Sequence, residues 1–286
     1  DPVKFSNNEL NILKYLSKFI CSGKRSDEID MLEIICSGSE RVVRDYKERM
    51  RTPPDYNKET TLINLFTGEF FKKEISNDDI ISENGTDYRT SDKFSEMLKR
   101  HEFKDAVQDI IDFGKNNLKK NQNGEHILPG TDLILFKKYT YTDVCRIMNW
   151  GKDINALNIG GYKYDEKTKT FPIFINYEKG EDVVKSQRYE DRFLSPTVFL
   201  DAPKSTDPKD GKNMLRLKDS EKLNIALYLF VRKNKEDEGN KEFYFLGRVR
   251  FDEFIDHDDK KFMIRLNLDT PVRHDLYEYL TSQDEK

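Results

Sequence analysis

The chain lacks most of the signals that identify membrane and secreted proteins. None of its 286 residues belongs to a run of ~18 apolar side chains, the length that a membrane-spanning helix needs. The first residues, Asp1 to Lys4, show no signal-peptide pattern, and without a starting methionine we interpret the chain as part of a longer protein. Three cysteines, Cys21, Cys36 and Cys145, are too few and too far apart for a disulfide framework. These absences predict a cytoplasmic protein with reduced thiols.

The common signatures of catalysis are also absent. The sequence has no Gly-x-x-x-x-Gly-Lys-Ser/Thr phosphate loop, no zinc-ligand spacing, and no histidine followed two residues later by lysine. His257 lies close to carboxylates such as Asp252 and Glu253, which leaves open a metal site or a carboxylate-based hydrolase. Because this run lacks EF-hand spacing, we interpret it as a charged loop between two strands. We therefore expect this chain to have no enzymatic activity, no metal and no cofactor of its own.

Charge and aromatic rings are abundant in the sequence. Charged residues make up 36% of the chain, and 19 Phe with 14 Tyr argue against disorder, because each aromatic side chain buries a large area. The 49 Lys and Arg residues are outnumbered by 53 Asp and Glu residues, which gives a net charge of −4. Any attraction to nucleic acid must therefore come from a local patch. The length suits about two domains.

Apolar residues in the first part of the chain recur at the three- and four-residue spacing of amphipathic helices. Residues 6–52 show this spacing in a series of short segments, and residues 57–122 continue it around a polar loop at Asn84–Asp87. A turn-rich stretch at residues 121–124 then interrupts the pattern. We therefore predict an all-helical domain at residues 1–122.

The second predicted domain, residues 123–286, has the shorter apolar runs and turn signals of β-strands. Strands are predicted at residues 170–177, 225–232, 243–251 and 262–268, and helices at residues 142–150 and 271–280. Strands of this length with few helices favour a small barrel or a strongly curved sheet. The sequence thus predicts an α+β protein with a β-rich C-terminal domain.

The segment between residues 139 and 193 is the strongest candidate for ligand binding. It is dense in aromatic rings, paired glycines and side-chain amides, which suit a flat ligand with polar edges better than bond breaking. Each element also has a plain structural interpretation. Gly160-Gly161 can form a turn, and Trp150 can belong to the apolar face of a helix. Tyr189 and Phe193 can pack around a surface salt bridge, so both interpretations stay open from these residues alone.

Four separated motifs in this region resemble those of a known family. In chain order they are Asn149-Trp150 with Leu157-Asn158-Ile159-Gly160-Gly161-Tyr162-Lys163-Tyr164-Asp165, then Phe171-Pro172-Ile173-Phe174-Ile175-Asn176-Tyr177, then Tyr189-Glu190-Asp191-Arg192-Phe193, and Phe243-Tyr244-Phe245-Leu246-Gly247-Arg248-Val249. Together they resemble the C-terminal domain of bacterial helicases with an N-terminal phospholipase-D-type nuclease. The SauUSI-type modification-dependent restriction enzymes are the best understood members. The likeness covers roughly residues 130–270. Upstream, Ser22-Gly23-Lys24-Arg25 and the helices around it resemble the helical spacer that couples the helicase to that domain.

The resemblance implies a target-recognition module with an SRA-like, PUA-related curved barrel. Such modules extrude a modified cytosine, typically 5-methylcytosine, from duplex DNA, while the nuclease and ATP-dependent helicase activities belong to other segments of the polypeptide. The chain is thus expected to be the specificity module of a type IV restriction enzyme in phage defence. Its expected partners are modified double-stranded DNA and the helicase and nuclease domains. The alternative is a regulatory domain that docks on the helicase core and gates it.

On this resemblance, two sets of residues are predicted to contact DNA. The base pocket is predicted to contain Trp150, Asn158, Gly160, Gly161, Tyr162, Asn176, Tyr177, Tyr189, Asp191 and Phe199. Phosphate contacts are predicted at Lys137, Lys138, Lys163, Arg192 and Lys204. Aromatic rings would stack on the base, and Asp191 or Asn176 would read the amino group of cytosine. A tryptophan that follows the third motif in many relatives is missing here, so its stacking role would pass to Phe199 or Tyr189.

Overall fold

The chain folds into two compact units. A computed structural model describes residues 4–71, 74–122, 127–153, 161–178, 191–204, 206–234, 241–258 and 261–282. The first unit contains Asp1–Glu125 and Cys145–Asp153, and the second contains His126–Val144 and Ile154–Lys286. The first unit is mainly helical and the second is built on a sheet, so the protein is α+β, as the sequence predicts.

The first unit contains six α-helices and a short hairpin in its described part. The helices are α1 (Asn7–Tyr15), which continues as a π-helical turn at Leu16–Ile20, α2 (Ser26–Cys36), α3 (Val42–Arg49), α4 (Tyr56–Thr67), α5 (Asp92–Leu98) and α6 (His101–Gln122), and the hairpin strands are β1 (Ile81–Asn84) and β2 (Asp87–Thr90). Ser22-Gly23, Ser37-Gly38 and Pro53-Pro54 lie between successive helices.

Local side chains fix several helix ends in this unit. Ser6 Oγ accepts the N–H of Glu9 at 3.3 Å, and the Glu9 carboxylate accepts the N–H of Ser6 at 2.7 Å, a reciprocal capping box at the start of α1. Asp55 caps α4 by accepting the N–H of Lys58 at 2.8 Å. Helix α4 ends at Gly68, whose φ of 84° lies in the left-handed region that favours glycine. These ends are therefore encoded within a few residues of sequence.

The helices pack around a core of aliphatic and aromatic side chains. Its largest fully buried members include Tyr15, Tyr46, Phe66, Phe70, Phe94 and Phe103. Gly114 allows α6 to approach its neighbours closely, because an added Cβ would lie 2.9 Å from Cys21 Cβ and 2.9 Å from Ile29 Cδ1. A side chain at this position would push α6 away from α2.

Two thiols of the first unit are shielded to different degrees, since Cys21 is fully buried and Cys36 is partly buried. Burial raises the pKa of Cys21 to about 12, and it also raises the pKa of Cys36 to about 12. At pH 8 only about one such thiol in ten thousand is ionised, and the thiolate is the reactive form. We expect iodoacetamide at pH 8 to modify both cysteines at least roughly a hundredfold more slowly in the folded protein than in urea. Peptide mapping by mass spectrometry measures this ratio, and rapid modification of the folded chain would contradict it.

The prediction of an all-helical first domain is wrong at one place. The polar stretch Asn84–Asp87 is the turn of a hairpin in which β1 and β2 pair antiparallel. The Asp87 carboxylate accepts the N–H groups of Val43 and Arg44 at 2.9 and 3.1 Å, at the start of α3. The hairpin is short and half exposed, so its stability depends on such contacts. Its strands lack the apolar alternation by which a strand is recognised in a sequence.

A buried group of three charged side chains lies inside the first unit. Glu28 is fully buried, and its Oε1 accepts Arg25 Nε at 3.0 Å and Arg146 Nη1 at 2.7 Å. The side chains of both arginines are 1% exposed. Arg25 Nη1 also donates to Asn149 Oδ1 at 2.8 Å, and Arg146 Nη2 donates to Ser22 Oγ at 3.2 Å. One buried carboxylate thus accepts hydrogen bonds from two buried cations, and removing a shared partner of this kind strongly destabilises a folded protein.

The segment Cys145–Asp153 packs within the first unit. Trp150 is only 5% exposed. The N–H of Gly151 donates to Thr61 Oγ1 at 3.0 Å, and the carbonyl of Gly151 accepts Asn64 Nδ2 at 2.7 Å. These bonds attach a piece of chain that follows residue 123 to the helices that precede it.

The second unit is a mixed sheet with helices. Its elements are β3 (Lys138–Tyr139), the start of α7 (Tyr141–Ile147), β4 (Thr170–Glu178), β5 (Arg192–Ser195), β6 (Val198–Asp201), α8 (Lys212–Lys218), β7 (Ala226–Asn234), β8 (Phe243–Asp258), β9 (Lys261–Leu268) and α9 (His274–Thr281). The strand order is β4-β7-β8-β9-β6-β5, with β3 pairing with β8 beside this path. Strands β4 and β7 are parallel, and the other pairs are antiparallel. The four predicted strands are confirmed as β4, β7, β8 and β9.

Two details of the sheet differ from prediction. Within the described residues the path of strands ends at β4 and β5, so no barrel is closed. The charged run after Phe251 is not a loop, because β8 continues to Asp258 and pairs with β9. Arg265 of β9 lies 3.2 Å from Asp252 and 3.6 Å from Glu253, so cross-strand ion pairs accommodate the acidic residues.

Alternation along the strands gives the sheet two apolar faces. Phe171, Ile173 and Ile175 of β4 pack in one cluster with side chains of α8 and α9, and we call this side the helix face. On the opposite side Phe174 stacks on Phe230 with ring centroids 5.0 Å apart, and Phe243 lies 5.3 Å from Phe174. We call this side, with its rings Phe174, Phe230, Phe243 and Phe245, the aromatic face. None of the helices in the described parts of either unit combines the length and apolarity that a bilayer crossing requires.

Candidate functional site

A buried polar group lies on the helix face of the second unit. Asp191 is 6% exposed and Asp201 is 2% exposed, which is rare for carboxylates. The Tyr162 hydroxyl donates to Asp201 Oδ2, and the N–H of Ala202 donates to Asp191 Oδ1 at 2.7 Å. Two successive residues at the end of β6 therefore connect the group, since Asp201 accepts from Tyr162 and Ala202 donates to Asp191. We call Tyr162, Asp191 and Asp201 the carboxylate cluster.

The carboxylate cluster keeps the Tyr162 hydroxyl protonated. Burial raises the pKa of Tyr162 well above its ordinary value of 10.0, and the negative charge of Asp201 and its hydrogen bond add to the shift. The negative charge of Asp191 also raises the pKa of Tyr162, so this carboxylate interacts electrostatically with the hydroxyl. Tyr162 therefore acts as a hydrogen-bond donor across the physiological pH range, while the aspartates supply acceptor oxygens.

Aromatic rings surround the carboxylate cluster. Tyr162 and Phe171 lie nearly parallel with ring centroids 6.3 Å apart. Tyr177 stacks on Phe193 at 5.9 Å, and Phe193 meets Phe199 edge to face at 4.9 Å. Most of these rings are buried, whereas Tyr177 is half exposed. Stacked rings next to hydrogen-bonding oxygens are the parts that a pocket for a planar heterocycle requires.

Motifs that are far apart in the sequence come together here. Tyr162 of the first motif pairs with Ile173 of the second in an antiparallel bridge, and the carbonyl of Gly161 accepts the N–H of Phe174 at 2.9 Å. Tyr177 of the second motif contacts Phe193 of the third. Three of the four motifs thus build one neighbourhood around β4.

Several predicted base-pocket residues are placed elsewhere or lie outside the described residues. Asn158, Gly160 and Tyr189 belong to the latter group. Trp150 is in the core of the first unit, whereas Phe199 is completely buried in the helix-face core of the second. Gly161 has a φ of 100°, so the backbone conformation alone explains a glycine at this position.

Asn176 and Asp191, the two predicted readers of cytosine, occupy different faces of the sheet. Asn176 has the same parity along β4 as Phe174 of the aromatic face, and its Oδ1 accepts Arg232 Nε. Tyr177, the next residue, points to the helix face, where it contacts Phe193. Asn176 therefore cannot read the same base edge as the carboxylate cluster.

The predicted phosphate-binding residues lie on different segments of the second unit. Lys138 Nζ lies 4.8 Å from the centroid of the Tyr244 ring, and the Lys137 carbonyl accepts the N–H of Phe245 at 2.9 Å. Lys163 and Arg192 are partly exposed, and Lys204 is exposed. All five lie in the second unit, where they can supply local positive charge.

Two residues that bond predicted base-pocket residues, Asp201 and Arg232, are not among the residues predicted to contact DNA. Asp201 ends the apolar run of β6, and a carboxylate directly after such a run is the signal that could have identified it. Arg232 follows the apolar run of β7 in the same way.

A metal site and a hollow for a small ligand are two other kinds of site that the described residues could form. No group of three or more His, Cys, Asp or Glu side chains among them could hold a metal ion. A polar hollow of about 280 Å³ lies in the first unit, lined by Asn8, Asn11, Ile12, Glu74, Ile75, Ser76, Asp79 and Lys93. This hollow contains none of the predicted base-pocket residues.

Comparison with known families divides the chain into two parts. Residues 2–123 match a family described as a domain of unknown function, DUF8090. Residues 133–280, just over half of the 286-residue chain, match a second family described as a domain of unknown function, DUF3427. No curated protein matches the chain. The match over residues 133–280 includes the carboxylate cluster and both faces of the sheet, and the chain belongs to the DUF3427 family.

Proposed function

We propose that the second unit recognises modified DNA by extruding a modified cytosine, with 5-methylcytosine as the expected base. It would serve as the specificity module of a cytoplasmic, ATP-dependent type IV restriction enzyme. Other segments of the polypeptide would carry the helicase and nuclease, and this chain would need no cofactor and break no bond. The observation that carries the proposal is the carboxylate cluster. Tyr162 and Asp191 come from separate motifs and Asp201 from the end of β6, and all three lie together on one face of the sheet.

The chemistry of the carboxylate cluster matches the edge of a cytosine. The exocyclic amino group of cytosine is a donor, and a carboxylate oxygen of Asp191 or Asp201 is the acceptor that it needs. The Tyr162 hydroxyl donates to Asp201 Oδ2 and thereby holds the orientation of that carboxylate. Such hydrogen bonds are strengthened where water is excluded.

The energy balance allows extrusion but limits the contribution of the methyl group. Extruding a base costs a few kcal/mol, and stacking returns ~1–3 kcal/mol per base. Burying one methyl group contributes only about 0.8 kcal/mol, a preference of roughly fourfold. Stronger selection for 5-methylcytosine therefore requires steric or hydrogen-bond exclusion of other bases.

The proposal includes an SRA-like, PUA-related curvature of the sheet. Support comes from irregularities in strand pairing, since the register shifts between Leu229 and Phe230, between Phe251 and Glu253, and between Asp256 and Asp258. Each shift of this kind bends a strand and increases its twist. A long strand such as β8 with several shifts favours a curved sheet over a flat one.

Fluorescence anisotropy with methylated and unmethylated duplexes of the same sequence tests the proposal. We expect the wild-type chain to prefer the methylated duplex, and we expect Asp191→Asn to lose affinity for it by roughly tenfold or more, because a charged acceptor contributes ~1.5–3 kcal/mol. The substitution preserves size and an acceptor for the N–H of Ala202. Asp210→Asn is the matched control, since Asp210 is exposed and the charge change is identical. Equal affinity of the wild-type chain for both duplexes would refute recognition of the modification.

A further inference from the structure

Helix α8 packs on the helix face through one side and exposes the other. Met214 and Leu217 are completely buried in the helix-face cluster. Lys212 and Arg216 are four residues apart, so they share a side of the helix, and this side lies opposite the two buried residues. The outer side of α8 therefore carries two cations, one turn apart.

Arg216 covers an aromatic ring close to the carboxylate cluster. Its guanidinium carbon is 4.2 Å from the centroid of the Tyr164 ring, a cation–π contact. The ring centroid of Tyr164 lies 6.2 Å from that of Phe171, and the centroid of Phe171 lies 6.3 Å from that of Tyr162. The three rings belong to the helix-face cluster or pack against it. Three successive contacts thus connect the guanidinium with the carboxylate cluster on one face of the sheet.

The two cations of α8 have donors available for an external anion. Among the residues that the structure describes, neither Arg216 nor Lys212 forms an ion pair or a side-chain hydrogen bond. Asp219, which follows the last residue of α8, forms no ion pair with them in that part of the chain. Arg216 is partly buried and Lys212 is exposed. A guanidinium carries N–H donors on all of its nitrogens, and its contact with the ring of Tyr164 leaves them without a protein oxygen.

Position and charge together favour the phosphate backbone of DNA as the anion. The chain has a net charge of −4, so attraction to a polyanion needs a local surface such as this one. The Cβ atoms of residues one helical turn apart are separated by roughly 5–6 Å, and the long side chains of Lys212 and Arg216 can reach neighbouring phosphates of one strand. Packing on Tyr164 already restricts Arg216, so this side chain loses less rotamer entropy on binding than a mobile one.

We propose that Arg216 and Lys212 bind the DNA backbone at phosphates next to the extruded nucleotide. The proposal rests on the proposed function, because it takes DNA as the ligand of the second unit. It adds α8, an element that none of the four motifs contains. Backbone contacts hold the duplex against the helix face but carry no information on modification, so they contribute to methylated and unmethylated duplexes alike.

Salt dependence of DNA binding tests the charge of this surface. Anisotropy is measured for the intact chain with both duplexes over a series of salt concentrations. Arg216→Met keeps an unbranched apolar stem over Tyr164 but removes the charge. We expect it to weaken binding of both duplexes by the same factor, roughly tenfold at about 50 mM salt, and to reduce the slope of log K against log salt by about one unit. Lys212→Met should reduce the slope by a similar amount.

Two measures separate a phosphate contact from a change in folding. Arg250→Met is the matched control, since Arg250 is exposed and lies 2.9 Å from Asp269, and we expect it to keep the wild-type slope. Circular dichroism shows whether each variant is folded. Should Arg216→Met fail to fold, Lys212→Met decides alone, because Lys212 is exposed. An unchanged slope in Lys212→Met would then overturn the proposal.

Uncharged phosphates in the duplex locate the contact. A methylphosphonate replaces a charged phosphate oxygen with a methyl group, and it is placed in turn at each position around the methylated cytosine. We expect one or two positions beside that cytosine to weaken the wild-type chain several-fold. The same positions should have little further effect on Arg216→Met, because the interaction is already lost. Equal sensitivity of both chains at every position would show that Arg216 touches no phosphate.

The outcomes separate this inference from the proposed function. If both duplexes bind equally but Arg216→Met weakens both and lowers the slope, the phosphate contact holds and recognition of the modification fails. If Asp191→Asn removes a preference for methylated DNA while neither α8 variant changes affinity or slope, the phosphate contact fails alone. Failure of the wild-type chain to bind either duplex would overturn both.

Discussion

Replacing Glu28 with alanine is expected to lower the free energy of unfolding of the first unit by about 3–5 kcal/mol. The carboxylate accepts hydrogen bonds from Arg25 and Arg146, and all three side chains are buried. Without it, both cations lose a buried contact in a low-dielectric interior, and Asp27, whose Oδ2 lies 4.0 Å from Arg25 Nε, compensates only part of the lost charge. Glu28→Gln should also be strongly destabilising, because the amide keeps the shape but not the charge.

Fluorescence in denaturant measures the effect of the Glu28 substitutions. Trp150 is the only tryptophan of the chain and lies in the same unit, so its emission reports the unfolding of that unit. Glu48→Ala is the matched control, because Glu48 is 61% exposed and its contact with Arg41 is 3.6 Å long. We expect this control to cost at most about 1 kcal/mol. A Glu28→Ala midpoint close to that of Glu48→Ala would contradict the importance of the buried group.

Replacing Trp150 with alanine should destabilise the first unit by about 3–5 kcal/mol while leaving DNA selectivity unchanged. The reason for the first effect is the cavity left by a ring that is 5% exposed in that unit. The sequence-based expectation was different, because the resemblance placed Trp150 among the rings that stack on the base. The two roles predict opposite results in a binding experiment.

Circular dichroism in denaturant and anisotropy with both duplexes together decide the role of Trp150. Trp150→Phe should recover much of the stability, since it restores an aromatic ring to the core. Tyr56→Ala is the matched control for stability, because Tyr56 is 78% exposed and its removal should cost little. If folded Trp150→Ala loses its preference for methylated DNA while its stability is unchanged, Trp150 contacts the base and the structural assignment is wrong.

The strands of the second unit were predictable because they are short apolar runs bounded by turn signals. Ile173 and Ile175 on the helix face and Phe174 on the aromatic face make β4 apolar on both sides, which local sequence reveals. The extension of β8 to Asp258 was not predictable, since Asp252 and Glu253 are poor strand formers. Their pairing with Arg265 stabilises the strand, and that partner is visible only in three dimensions.

The positions of buried charges could not be predicted from the sequence. Glu28 and Arg146 are 118 residues apart, and each resembles an ordinary surface residue of an amphipathic helix. The same holds for the carboxylate cluster, where Asp191 was identified through family resemblance and Asp201 was missed. Hydrophobic periodicity shows which face of an element is buried, but it does not show which polar residue finds a partner there.

The parallel pairing of β4 with β7 has a consequence for how the second unit folds. Strands β5 and β6 and helix α8 come between them in the chain, so this pairing closes a long loop, whereas β7, β8 and β9 form successive hairpins. Loop-closure entropy therefore favours early formation of the β7–β9 meander and late addition of β4. During synthesis the apolar row Phe171, Ile173 and Ile175 emerges before the strand that pairs with it. The yield of folded protein should consequently depend on chaperones and on the rate of translation.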